Sequence, residues 1–250
     1  MLNTNMRTNE EVSKIIELKN TGKNNTEIAK LLGIPRTTII SIIKNFDREK
    51  IDKRKKIWIN DPITYIVGNN LEKEYSYLLG LYLGDGHISQ LKRTQRIRFF
   101  LDSKYDSLND YVNKSLSKLF FNNKTNIIKS NYNMVTIYVC SSDLIKLFPQ
   151  HGIGKKHERP INLTEWQKSI IIPEELIKGL FHSDGTYYHS ANRDYYQFKN
   201  YSKDILNIFK TYCDILGVNY TEQEKVINFY SRKNVNQLKQ IIGTKTDIKL

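Results

Sequence analysis

The sequence predicts an α+β protein in which a small all-α unit precedes a larger domain built from two copies of one pattern. Three observations predict it. Two apolar runs, Tyr77-Leu-Leu-Gly-Leu-Tyr-Leu-Gly-Asp-Gly86 and Leu176-Ile-Lys-Gly-Leu-Phe-His-Ser-Asp-Gly185, each end in Asp-Gly, and Asp85 and Asp184 lie 99 residues apart. Behind each run the same order recurs: strands, helix, strands, helix. A shift of 97 residues superposes Leu108 on Ile205, Tyr111 on Ile208, Val112 on Phe209 and Leu119 on Leu216. Third, residues 9–46 hold three short helical patterns punctuated by Gly22 and Gly33.

Composition narrows the partners. The chain of 250 residues is 39% hydrophobic and 11% aromatic, enough for a substantial core, and carries a net charge of +13 with a pI near 9.5. A basic chain with 16 tyrosines points to a polyanionic partner, most simply nucleic acid. Two cysteines, Cys140 and Cys213, lack metal-type spacing, which implies a reducing compartment and no disulfide framework. No apolar run approaches the length of a membrane span, and the N-terminus shows no signal-peptide core. The expectation is an intracellular, soluble protein of the cytoplasm, nucleoid or an organelle matrix, with no membrane partner.

In chain order, Val12, Ile15, Ile16 and Leu18 mark a first helix closed by Gly22. Thr26 to Leu32 gives a second, with Asn25 or Thr26 as cap and Gly33 as the turn. Ile34-Pro-Arg-Thr-Thr-Ile-Ile-Ser-Ile-Ile-Lys44 gives a third, with Pro35 near its first turn and Ile39, Ile42 and Ile43 as its buried stripe. The spacing from Ala29 through Gly33 to Ile39 resembles the helix-turn-helix of resolvases and many repressors. That resemblance places the third helix in a major groove and nominates Arg36, Thr37, Thr38 and Ser41 for base contact.

Residues 47–70 read as a linker, with the charged run Asp47 to Lys56 followed by Asp61-Pro62 as a breaker. Residues 1–60 hold 13 lysines and arginines against 7 aspartates and glutamates, so Lys53 to Lys56 are able to track phosphates. From 71 onward the duplicated domain begins, with halves of about 71–160 and 161–250. In the first half, Ile97, Phe99 and Leu101 alternate with Arg96 and Arg98, a half-buried strand with a cationic outer face. Leu108, Tyr111, Val112, Leu116 and Leu119 mark a helix. Ile127-Ile128 and Val135 to Cys140 flank a hairpin turn at Asn131-Tyr-Asn133, and a short helix spans Asp143 to Phe148. In the second half, Tyr195 to Lys199 is a strand, Ile205 to Leu216 a helix ended by Gly217, Val226 to Tyr230 a strand, and Val235 to Ile242 a last helix.

The paired runs carry the chemistry. Gly80 and Gly84 are four apart, as are Gly179 and Ser183, so each pair lies on one helix face. Glycine in a helix interior costs about 1 kcal/mol relative to alanine, and close approach of two helix backbones is a reason to accept it. Gly86 and Gly185 stand where a left-handed C′ glycine stops a helix. Asp85 and Asp184 then fall at helix C-termini, where partial negative charge disfavours an anion. Two carboxylates held together there call for a proton or a cation between them. Mg²⁺ suits oxygen ligands, one or two carboxylates and substrate phosphates.

Leu78 to Gly86 and Ile177 to Gly185 resemble the nine-residue motif of the LAGLIDADG homing endonucleases. Both copies keep the Gly (Gly80, Gly179), the following Leu (Leu81, Leu180) and the final Asp-Gly. The sixth position departs from the family's frequent Asp, being Leu83 and His182. A chain with two motifs resembles the monomeric branch, in which each half contributes a curved antiparallel sheet to a saddle over DNA. The resemblance implies that Asp85 and Asp184 bind the catalytic metal, Mg²⁺ with Mn²⁺ able to substitute, joined by the backbone carbonyls of Gly84 and Ser183. It implies hydrolysis of both strands of a long asymmetric DNA site by a monomer, leaving short 3′ overhangs.

Family members often place a lysine at the end of the strand before the first post-motif helix, which nominates Lys104 beside Ser103. In the second half the 97 shift points to Asn200-Tyr201, whereas the repeated Ser-Lys dipeptide points to Lys203. DNA reading falls to the outward strand positions Arg96, Arg98, Tyr195, Gln197 and Lys199, with Lys92 and Arg93 in the preceding loop. Gly152-Ile-Gly-Lys-Lys156 lacks phosphate-loop spacing, His151 and His157 lack cysteine partners for zinc, and His182 reads as interfacial. The competing reading is a non-cleaving nucleic-acid binder, an intron maturase or a transcription regulator. Both terminal acids are present and a helix-turn-helix favours DNA over RNA. The chain begins with Met1 rather than a splice-junction Cys or Ser, which reads as a free-standing protein rather than an intein.

Overall fold

The computed structural model describes residues 9–43, 59–130 and 132–246, in two compact units divided after Ile57. The basic run Lys53 to Lys56 and Asn131 of the predicted hairpin turn lie outside the described residues.

In the first unit, α1 spans Asn9–Asn20, α2 spans Asn25–Leu32, and residues 36–43 are helical (α3). Ile15, Ile28, Ile34 and Ile39 are buried together, with Leu18, Ala29, Leu32, Ile42 and Ile43 packed around them. The cap of α2 is Asn24, one residue before the sequence expectation. Its side chain accepts from the Thr26 and Glu27 amides at 3.0 Å, and the Asn24 amide donates to the Glu27 carboxylate at 2.8 Å, a reciprocal arrangement that satisfies three amide donors at once. Gly33 adopts φ 64°, the left-handed turn that ends α2. Arg36, Thr37 and Ser41 are exposed on α3, and Thr38 is half-buried.

The second unit opens with α4, Pro62–Val67, inside the stretch read as linker. Asp61-Pro62 starts a helix instead of breaking one. The Asp61 carboxylate accepts from the Thr64 amide at 2.8 Å, and proline at the first helical position gives up no needed donor. Two sets of elements of like order follow. The first is α5 (Glu72–Gly84), β1 (Gly86–Gln90), β2 (Gln95–Asp102), α6 (Asp106–Leu119), β3 (Thr125–Lys129), β4 (Met134–Ser141) and α7 (Leu144–Leu147). After a short 3₁₀ turn, Lys156–Glu158, and α8 (Glu165–Ile170), the second set runs α9 (Pro173–Asp184), β5 (Gly185–Ser190), β6 (Arg193–Lys199), α10 (Lys203–Ile215), β7 (Thr221–Gln223), β8 (Val226–Phe229) and α11 (Arg232–Ile242). Each set forms a four-stranded antiparallel sheet, ordered β1-β2-β4-β3 and β5-β6-β8-β7. Duplication is thus written into the topology as well as the sequence.

One continuous core joins the halves, and α5 and α9 cross at its centre. Tyr77, Leu78, Leu81, Leu176, Ile177 and Leu180 are fully buried there. The helical glycines sit at the crossing: a Cβ on Gly80 would strike the Leu176 carbonyl and a Cβ on Gly179 would strike that of Tyr77, both closer than real Cβ contacts allow. Gly86 and Gly185 do not take the left-handed form expected of them. Gly185 is extended at φ −86°, ψ 151°, and each glycine is the first residue of a strand. Their need for glycine is steric: a Cβ on Gly86 would lie 2.6 Å from the Tyr82 ring, and one on Gly185 would meet the Phe181 ring. Among the described residues no helix is long and apolar enough to cross a membrane.

Candidate metal centre and nucleic-acid interface

Close passage of α5 and α9 carries their C-terminal ends side by side. A Cβ on Gly84 would lie 2.6 Å from the Asp184 carboxylate and would collide with Ser183, so this glycine makes room for the second motif's acid. Asp85 and Asp184 each feel the crowded surroundings of this junction. Burial raises the Asp184 carboxyl to about 6, with the neighbouring Asp85 charge pushing the same way. Burial also raises the Asp85 carboxyl, and Lys245 and Lys156 pull it back. Asn200 donates to Asp184 at 2.8 Å. This is the residue the 97 shift sets opposite Ser103, so the internal repeat located a contact to the carboxylate pair.

Two lysines complete the junction. Lys156 donates to the carbonyls of Gly84 at 2.9 Å and Gly86 at 2.8 Å, and to that of Tyr82, with its ammonium 4.7 Å from the Tyr82 ring centroid. Lys245 donates to the Ser183 carbonyl at 3.3 Å. The carbonyl preceding each carboxylate is therefore met by an ammonium, once in each half. Burial lowers Lys156 to about 8 against the pull of Asp184 and Asp85, and burial lowers Lys245 as well.

Lys104 and Lys203 take other places. Lys104 pairs with Asp102 at 3.0 Å on an exposed surface, and these two charges are felt at Lys245. Lys203 is exposed at the start of α10. Lys156 and Lys245 were missed because they lie 71 and 61 residues behind their aspartates, so no single shift aligns them. A signal was nonetheless present. Gly154-Lys-Lys156 and Gly243-Thr-Lys245 both read Gly-x-Lys, each after the last helix of its half, and both glycines have positive φ, 83° and 70°. Each lysine thus follows by two residues a glycine in a backbone conformation that other residues rarely adopt.

His182 is interfacial, as expected. It is 2% exposed, its Nε2 donates to the Ile242 carbonyl at 3.2 Å, and its Nδ1 therefore accepts from the Tyr77 hydroxyl at 3.1 Å. Burial lowers it to about 3, so it stays neutral and joins the halves rather than titrating. Beside the carboxylates lies a groove of about 780 Å³, lined among others by His87, His151, Lys155, Lys156, Arg159 and Lys199. The stretch dismissed as a phosphate loop thus forms one wall of this cationic groove. Arg96 and Arg98 share the open face of the first sheet and Tyr195 and Gln197 that of the second, while Lys92 and Arg93 are exposed in the β1–β2 turn. Among the described residues no three His, Cys, Asp or Glu side chains cluster as a metal site. Any cation here would use the two carboxylates with carbonyls and incoming oxygen ligands.

This geometry defines a pseudo-symmetric two-motif protein with paired carboxylates where its central helices end. Residues 173–249 match the family model described as a LAGLIDADG-like domain. The structure is similar to I-DmoI in complex with DNA and Mn, at 20% identity over 70% of this chain and 98% of that one, with a TM-score of 0.50. A variant of I-DmoI in complex with its target DNA, in the presence of Mn, gives the same identity and TM-score over 70% and 95%. Full-length DUF199/WhiA from Thermatoga maritima is 15% identical over 69% of this chain and 56% of that one, with a TM-score of 0.48. No curated protein sequence matches. Residues 173–249 therefore carry a LAGLIDADG-like domain, and the chain as a whole shares the duplicated α+β fold of I-DmoI.

Proposed function

We propose that the chain is a site-specific endonuclease that cuts both strands of a long asymmetric DNA duplex as a monomer, with one motif aspartate serving each half of the site. The observation that carries this reading is the meeting of Asp85 and Asp184 at one junction, with Lys156 and Lys245 on the adjoining carbonyls. I-DmoI, whose fold it shares, is a homing endonuclease and has been seen with DNA and with Mn, Mg or Ca.

The site fits a divalent cation. Asp184 is raised in part by Asp85, the conflict a cation relieves, and the Gly84 and Ser183 carbonyls already meet positive groups. Asp85, Asp184 and these carbonyls would hold it, and Mg²⁺ or Mn²⁺ would supply polarisation of a phosphoryl oxygen and activation of water. The chain's own residues do the rest. Lys156 and Lys245 place positive charge where a phosphate gains negative charge during displacement. Asn200 orients Asp184 through the hydrogen bond that its side-chain amide donates. The wall formed by Lys155, Arg159 and Lys199 holds the phosphate backbone against the groove.

In the same reading the N-terminal unit is a helix-turn-helix that extends the footprint. Arg36, Thr37, Thr38 and Ser41 on α3 supply its base contacts, with Arg suited to guanine and Thr to thymine methyl.

The test is cleavage with Mg²⁺ of a plasmid pool carrying randomised inserts, with Asp85→Asn and Asp184→Asn beside the wild type. Discrete double-strand cuts, lost in both variants while DNA binding persists, support the endonuclease. Tight, specific binding without cuts in Mg²⁺ or Mn²⁺ replaces it with a non-cleaving binder.

A further inference from the structure

The two sheets share a topology, yet their open faces carry different chemistry at equivalent places. His87 pairs with Arg98 across β1 and β2, and Thr186 pairs with Gln197 across β5 and β6. Arg98 therefore corresponds to Gln197, and Arg96, two residues earlier, to Tyr195. The next strand repeats the contrast, with Tyr138 beside Arg98 and Asn228 beside Gln197.

On the first sheet both guanidiniums are braced by neighbours. Arg96 lies 4.9 Å from the Tyr138 ring centroid, and Arg98 lies 5.6 Å from that of Phe100 and donates to Ser89 at 3.3 Å. The Nε of each arginine is buried without a hydrogen-bond partner among the described residues. A guanidinium braced against an aromatic ring is suited to an edge offering two acceptors, and in a major groove that edge is guanine O6 and N7.

On the second sheet the cations of β6 lie at its ends, Arg193 and Lys199, leaving its centre to Tyr195 and Gln197. Gln197 donates to the Asn228 side chain at 2.9 Å, and the Asn228 Nδ2 is left without a partner in a side chain 2% exposed. Gln197 itself keeps a second N–H and its Oε1 for a ligand, the donor and acceptor that match adenine N7 and N6. Tyr195 stacks on Tyr188 at 5.0 Å and meets Tyr230 edge-on at 6.1 Å. This apolar surface suits a thymine methyl.

The geometry points to two half-sites of unlike composition: a G·C-rich one under the first sheet, read by Arg96 and Arg98, and an A·T-rich one under the second, read by Gln197 and Tyr195, with Asn228 holding the Gln197 amide in place. This inference rests on the DNA-binding part of the proposed function and adds the base class that each half selects. It also gives a reason for the target to be asymmetric, since a pseudo-symmetric protein with like faces would favour a palindrome.

The test is selection of bound duplexes from a randomised double-stranded pool, using the full chain with Ca²⁺ in place of Mg²⁺, followed by sequencing. The wild type is compared with Arg98→Gln and Gln197→Arg. The expected base matrix has guanine favoured on one flank and adenine or thymine on the other, by about tenfold at the best-read position, as a bidentate contact supplies. Arg98→Gln should erase the guanine preference on its flank alone, and Gln197→Arg should introduce one on the opposite flank. Selected sites with matching flanks, or variants that weaken binding without altering either matrix, overturn this inference while leaving the proposed function standing. Recovery of no duplex above background overturns both.

Discussion

Gly179→Ala adds one methyl group at the α5–α9 crossing and should undo both stability and activity. In an open helix the change would stabilise by about 1 kcal/mol. Here the new Cβ would strike the Tyr77 carbonyl and lie 2.8 Å from the Leu81 nitrogen, both backbone atoms that no rotamer change can move. The helices must separate by about 1 Å to restore ordinary contact, and a gap of that size forfeits a quarter to a half of each dispersion contact across the seam. Tyr77, Leu78, Leu176, Ile177 and Leu180 lose packing together. Overpacking alone costs about 1–3 kcal/mol, and the opened seam adds to it, so a net loss of about 2–4 kcal/mol is expected by denaturant unfolding. Because the same seam positions Asp85 against Asp184, a misplacement of about 1 Å should also lower cleavage on the order of 100-fold. Equal or greater stability in Gly179→Ala would refute the claim that backbone contact, rather than side-chain packing, sets the helix separation.

Asp184→Asn should lose cleavage yet stabilise the metal-free protein at alkaline pH. The folded-state carboxyl titrates near 6 rather than 3.8, so between those values the folded state holds a proton the unfolded state has released, and stability falls as pH rises. The full shift corresponds to about 3 kcal/mol, or about 1–2 after allowing for partial exposure; thermal melts in EDTA should show the variant's advantage at pH 8 and little of it at pH 4. Lys156→Met and Lys245→Met should each reduce single-turnover cleavage about 100-fold or more with DNA affinity changed far less; unaltered rates would assign these ammoniums to helix capping alone. Arg36→Ala should weaken binding to a selected target by about 1–3 kcal/mol in a gel-shift titration, and a target shortened to the endonuclease footprint should show no difference.

Much of this architecture is written locally. The 97-residue repeat announced a duplicated α+β domain because corresponding helices bury the same faces, as Val112 and Phe209 do. The small residues four apart announced close helices, since only a missing Cβ lets backbones meet. Both aspartates were legible because a carboxylate at a helix C-terminus is an electrostatic anomaly visible in one dimension. Local rules also misled in places. Asp61-Pro62 reads equally as a breaker or a helix start, and the choice fell to the hydrogen bond from Thr64. Gly86 and Gly185 looked like left-handed stops, but the chain turns directly into a strand and requires glycine to clear the preceding aromatic rings.

By itself, then, the sequence determined the duplication, the motif helices and the two acids that end them, because these follow from periodicity and from backbone sterics within one segment. Only the tertiary structure decided which cations serve those acids. Lys156 and Lys245 reach the Gly84 and Ser183 carbonyls from segments unequally distant along the chain. Their selection depends on where the segments after Gly154 and Gly243 run in space, and a contact between an ammonium and a carbonyl 60 or 70 residues away leaves no periodic trace.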